Sequence, residues 1–219
     1  TSDTGGWEAS VGPRVRAAGH GTLAFNFRGQ TDSPFSAEIV LDADLMAADA
    51  TRLLAEVAPR RPVLVGLSIG GLFAARAHLA GASAEALVLI NTLRADGPRL
   101  QWIGDALVRA AEVGGLDLFR DLFLPLLVNE DWQRANRANF IAPGAQYKPL
   151  PTDHGHYKLL AEAGRTADWD LPYEQLDLPV LVVTGLQDHV FLEPGVVAEL
   201  AERLPRGRCV DMPDAGHLI

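Results

Sequence analysis

The chain has 219 residues, 48% hydrophobic and 21% charged, which is enough for one domain around a large apolar core and excludes a disordered polypeptide. Its formal net charge of -9 argues against nucleic acid as a partner, because such a surface repels phosphate backbones. No run approaches the ~18 apolar residues of a membrane span, and a single cysteine, Cys209, excludes an intrachain disulfide.

Residues 9–18 read as a helix, and residues 22–27 (TLAFNF) as a short strand. Residues 41–58 show helical periodicity, with Leu45, Ala48, Leu53 and Val57 on one side and Pro59 just past the end. Residues 62–67 (PVLVGL) are apolar at successive positions, as in a strand buried on both faces. A small-residue helix over 70–80 and a second buried strand over 85–90 (EALVLI) follow. This alternation predicts a mostly parallel sheet with right-handed crossovers.

Residues 95–170 lack a strong strand run and predict helices over 99–113, 116–127, 130–140 and 156–163, a helical cap inserted into the sheet domain. The earlier pattern then returns, with a strand over 179–184, a helix over 194–204 and a strand over 208–212. The expected fold class is α/β: a doubly wound, mostly parallel sheet formed by 1–94 and 171–219, with 95–170 as cap. Cys209, in an apolar-flanked run, is expected to pack as a small hydrophobe, and a cytoplasmic location fits that composition.

The chemistry centres on Gly66-Leu67-Ser68-Ile69-Gly70. A serine on a very tight strand-to-helix turn is held in a strained backbone, and glycines two residues before and after it avoid collisions. The turn lifts the hydroxyl above the carboxyl end of the sheet, where the next helix aims its first N–H groups. Serine needs a base, and His217 lies in a loop just beyond the last strand. Asp188 follows the strand over 179–184 and can orient and stabilise that imidazole. Asp96, after the strand over 85–90, is the rival acid.

His154 and His156 have a spacing that suggests metal, but no further ligand cluster supports one, and a polar cap loop is the better reading. The apolar run 116–128 forms cap core or a greasy roof over the serine. Trp102 and Phe123 are candidate substrate-binding residues there.

The pentad around Ser68, the segment Thr184-Gly185-Leu186-Gln187-Asp188 and the pair Gly216-His217 resemble the alpha/beta-hydrolase superfamily. So does Asn26-Phe27-Arg28-Gly29-Gln30-Thr31-Asp32-Ser33, similar to that family's Asp-x-Arg-Gly-x-Gly-x-Ser loop but departing at Asn26 and Thr31. The stretch Gly66–Gly71 is similar to capped esterases and enol-lactone hydrolases.

The resemblance implies a Ser68–His217–Asp188 triad that hydrolyses an ester, lactone or thioester of a medium-sized hydrophobic small molecule, with no cofactor, metal or membrane partner and a homodimer left open. It also implies an oxyanion hole made by the Ile69 N–H and a donor near Thr1 and Ser2. A small-molecule receptor, or a carbon–carbon hydrolase or acyltransferase with the same triad, remains the alternative. Thr1–Trp7 resembles the tail of the family's oxyanion loop without the strand and His-Gly pair that normally precede it, and a helix is expected after His217. On those grounds the sequence is expected to be part of a longer protein.

Overall fold

The structure is a computed structural model, and it describes residues 3–219. The β-branched, apolar runs form four strands: β1 (Val63–Leu67), β2 (Ala86–Ile90), β3 (Val180–Gly185) and β4 (Gly207–Met212). They lie in the order β1-β2-β3-β4 and every pairing is parallel, so all carboxyl ends share one edge. Leu89 of β2 stands opposite Gly66 on one side and Val182 on the other, and Val182 opposite Cys209.

The helices before the sheet are α1 (Thr4–Ala9), α2 (Val11–Ala17) and α3 (Ala43–Val57). Helix α4 (Ile69–Leu79) joins β1 to β2. Between β2 and β3 lie α5 (Pro98–Phe123), α6 (Glu130–Asn136), α7 (Gly155–Lys158) and α8 (Gly164–Thr166), the last two joined by a π turn over Leu159–Ala163. Helix α9 (Pro194–Glu202) joins β3 to β4. Among the described residues, the segment 95–170 contributes helices and no strand.

The main core packs Leu72 and Ala75 of α4 against Leu87, Leu89, Val180 and Val182 of the sheet, with Tyr173, Leu176 and Leu200 closing around them. A second cluster joins Leu41, Ala43 and Met46 to Phe73 on the far side of α4. Helix α4 therefore has apolar contacts on two sides, which its almost wholly small and apolar sequence requires. No helix among the described residues is long and apolar enough to cross a membrane.

Four expectations change. Residues 22–27 are not a strand, because no described segment offers them a ladder of backbone partners. Phe27 is held instead by edge-to-face contacts with Phe25 and Phe73, at 5.0 and 5.2 Å. Cys209 is exposed rather than packed, because β4 is the last strand of the sheet and its residues face outward. Residues 9–18 divide into the end of α1 and α2 around Ser10, which donates through both N–H and hydroxyl to Gly6 O. The expected break between the 99–113 and 116–127 helices is a kink within α5 at Gly115, whose backbone adopts φ 66° and ψ -162°.

The glycines around Ser68 are not equivalent. A Cβ on Gly66 would lie 2.3 Å from Gly71 N and 2.4 Å from the Gly70 carbonyl, whereas one on Gly70 would meet nothing within 4 Å. Gly66 is needed for α4 to approach β1, and the glycine after the serine is not sterically required. The Gly66→Ala variant should therefore lose about 1–3 kcal/mol through overpacking, while Gly70→Ala should be neutral or gain up to ~1 kcal/mol of helix propensity. Urea unfolding midpoints of the two variants check this.

Asn91, one residue past β2, fastens the strand ends. Its side chain accepts from Gly185 N at 2.7 Å and donates to the carbonyls of His217 (2.8 Å) and Gly216 (3.2 Å), while its own N–H donates to Val183 O at 2.8 Å. It sits at φ 47°, a left-handed conformation that asparagine tolerates better than most residues. Asn91→Ala strands the Gly185 N–H and two carbonyls, and is expected to cost about 1–3 kcal/mol, measured by the same unfolding experiment.

Candidate active site

Ser68 is the N-cap of α4, with φ 55° and ψ -127°, a strained conformation for a residue with a side chain. The surroundings hold it there. Its N–H donates to Ile90 O at 2.8 Å, and its carbonyl accepts from Gly71 N at 3.0 Å and from the buried Thr92 hydroxyl at 3.1 Å. Ile69 opens α4, so helix geometry gives its N–H no partner within the helix. That N–H is available to an oxyanion beside the serine. The second donor expected at Thr1 and Ser2 falls outside the described residues.

His217 and Asp188 form a buried pair. His217 Nδ1 lies 2.6 Å from Asp188 Oδ2, and the two residues are 3% and 6% exposed. Asp188 Oδ1 accepts from Val190 N and Phe191 N, at 3.0 and 2.9 Å, so the carboxylate is fixed by its own turn. Burial opposes its charge, but the hydrogen bond from His217 and the two N–H groups outweigh it and hold the carboxyl below the usual range. Burial likewise lowers the His217 pKa below the ordinary imidazole value, despite the pull of Asp188. A neutral imidazole with Nδ1–H on Asp188 leaves Nε2 free to accept a proton. Asp96 is not part of this pair, and its carboxylate accepts from Trp169 N at 3.0 Å.

No hydrogen bond joins His217 to Ser68 among the described residues. The Ser68 hydroxyl instead accepts from Arg94 Nη2 at 3.0 Å. Arg94 is 4% exposed, donates also to Asn91 O at 2.8 Å, and has Trp169 and Phe191 over its guanidinium, each ring centroid 4.3 Å away. Phe191 also packs on the His217 ring at 4.9 Å, so serine, arginine and imidazole share one wall. Burial pulls the Arg94 pKa down to about 10, partly offset by the Asp188 charge. The arginine therefore remains charged at neutral pH. The sequence carries only a weak signal for it, a cation four residues past a buried strand at the sheet's carboxyl end. Asn91 has the same weak signal.

The other candidates lie apart. Trp102 on α5 is 79% exposed and Phe123 packs on Phe119 at 5.6 Å. Neither lines the small cavity beside Arg94, whose walls include Asn91, Thr92, Asp188, Phe191 and Leu192. Trp102 faces solvent on α5. His154 and His156 stack on each other at 5.5 Å, and no group of three or more metal-capable side chains occurs among the described residues. The stretch resembling the family's Arg-Gly loop is a scaffold: Arg28 pairs with Asp49 and Asn26 Oδ1 accepts from Thr4 N at 3.0 Å.

Residues 4–219 match the family described as the alpha/beta hydrolase family. A Mycobacterium tuberculosis protein carrying the name non-heme bromoperoxidase BpoC is 30% identical, over 97% of this chain and 81% of its own. Among solved structures, MGS-M2, an alpha/beta hydrolase enzyme from a deep-sea metagenome library, superposes with a TM-score of 0.77 at 18% identity, covering 99% of this chain and 78% of that one. The enol-lactonase of Burkholderia xenovorans LB400 superposes with a TM-score of 0.67 at 23% identity, covering 99% and 80%. On both sequence and fold, the chain belongs to the alpha/beta hydrolase family.

Proposed function

We propose that the chain is a serine hydrolase that cleaves an ester, lactone or thioester of a medium-sized, largely apolar small molecule through an acyl-serine. The observation that carries this is the buried His217–Asp188 pair on the same sheet edge as the strained Ser68. Esterases and an enol-lactonase among the structural neighbours are compatible with that chemistry.

In the reaction, the Ser68 hydroxyl turns from Arg94 to His217, whose Nε2 takes its proton as Oγ attacks the carbonyl carbon. The Ile69 N–H stabilises the resulting oxyanion. Collapse of the tetrahedral adduct expels the alcohol, which takes the proton from His217. Water, deprotonated by the same imidazole, then frees the acid from Ser68. Asp188 keeps the imidazole in the required tautomer and balances its charge. The apolar run 116–128 is proposed to roof the acyl pocket.

A second function, ligand capture without rapid turnover, draws support from the Ser68 hydroxyl, which accepts from Arg94 and, among the described residues, has no hydrogen bond to His217. A series of short and long nitrophenyl esters separates the two: multiple turnovers support the hydrolase, and one slow covalent event per chain supports the receptor.

For the hydrolase, Ser68→Ala should lower kcat by about 10⁴-fold or more, with the protein still folded by circular dichroism. The kcat/KM of the unmodified protein should rise with pH through one ionisation and then level off. Because burial favours neutral His217, the midpoint of that rise should fall below 6.5. A midpoint above that value would argue against His217 as base.

A further inference from the structure

We infer that Arg94 is the recognition site for a carboxylate on the substrate, so that the preferred ester or lactone carries an acid group a few bonds from the carbonyl that Ser68 attacks. This rests on the serine-hydrolase function proposed above. A guanidinium is expensive to bury, and one nearly removed from water normally meets a carboxylate. Arg94 meets none within ion-pair distance among the described residues. Its hydrogen bonds go to a hydroxyl and a carbonyl, and its buried Nε has no partner.

The position is specific. Nη2 touches the nucleophilic oxygen itself, at 3.0 Å. An anion that replaces that hydroxyl on Nη2 must therefore sit beside the reacting carbonyl. Trp169 and Phe191 cover the faces of the guanidinium, which confines a ligand to its edge and plane. A planar carboxylate can take two parallel hydrogen bonds from that edge.

Hydrolysis of monomethyl succinate and of methyl butyrate, which has a methyl group where the succinate has its carboxylate, tests this. The unmodified protein should show a kcat/KM at least tenfold higher for the succinate, carried mainly by KM. Arg94→Gln should bring the ratio to about one, and Arg94→Lys should retain part of it. Equal or better turnover of methyl butyrate by the unmodified protein would overturn the inference, whether or not the variants fold. So would a Gln variant that keeps the preference, or one that loses both esters in equal proportion through kcat, which would make Arg94 a general transition-state donor. A neutral fluorophosphonate separates failure of the underlying function. Ser68 labelled, with no preference for the succinate, sinks the carboxylate site alone. Ser68 unlabelled, with neither ester cleaved, sinks the serine hydrolase and this inference with it.

Discussion

The site depends on one constraint: three chain segments far apart in sequence must end at the same height on one sheet edge. Parallel pairing supplies the coarse alignment, because every strand delivers its carboxyl end to that edge. The Asn91 amide supplies the fine one. From the end of β2 it binds the N–H of Gly185, three residues before the acid, and the carbonyls of Gly216 and His217 themselves. The nucleophile is tied to the same strand, since the Ser68 N–H donates to Ile90 O and its carbonyl accepts from Thr92. Residues 90–92 thus reference Ser68, Asp188 and His217 to one another. The left-handed backbone of Asn91 and the strained backbone of Ser68 are two local costs, and the strands between them fix both.

How much was legible in the sequence follows from which interactions are local. Strands β2 and β3 were readable because burial makes them continuously apolar. Strand β1 is as apolar in sequence, but its Val63 and Val65 are exposed, so the expected burial on both faces does not hold for it. Helix α4 was readable because it follows a strand with almost wholly small and apolar residues. The position of Ser68, Asp188 and His217 past strand ends was readable because the strands were, and the His217–Asp188 contact follows from it, whereas the Ser68 hydroxyl accepts from Arg94. Residues 22–27 have a strand's composition and no ladder, because pairing is set by the neighbour and not by the segment. Cys209 misled for a related reason: an apolar-flanked run does not say whether its strand lies inside a sheet or at its border. Arg94 was not readable. Arginine is most often a surface residue, and its burial here depends on Trp169 and Phe191, which come from segments more than seventy residues away.

The charges of the site form one system. Asp188 and Arg94 are of opposite sign, and the neutral His217 is bonded to the first. At rest, a carboxylate and a guanidinium balance in a nearly dry wall. In the proposed reaction, proton transfer from Ser68 to His217 adds a cation at the imidazole and an anion at the oxyanion. Asp188 faces the first, and the Ile69 N–H lies beside the second. Removing Arg94 would leave the Asp188 carboxylate without the guanidinium charge that balances it.

The net charge of -9 sets a useful contrast. A carboxylate-bearing substrate approaching such a surface meets repulsion, yet salt screens exposed charges beyond a Debye length of about 8 Å. Inside the site the balance reverses, because a buried guanidinium is shielded by little water and acts at contact distance. If Arg94 recognises a carboxylate as proposed, the surface weakens encounter slightly and the buried guanidinium retains the molecule. A site built for a neutral substrate would gain nothing from that cation and would bear its desolvation alone. Long-range repulsion with short-range attraction is the arrangement expected where selection happens after entry, at the nucleophile rather than at the rim.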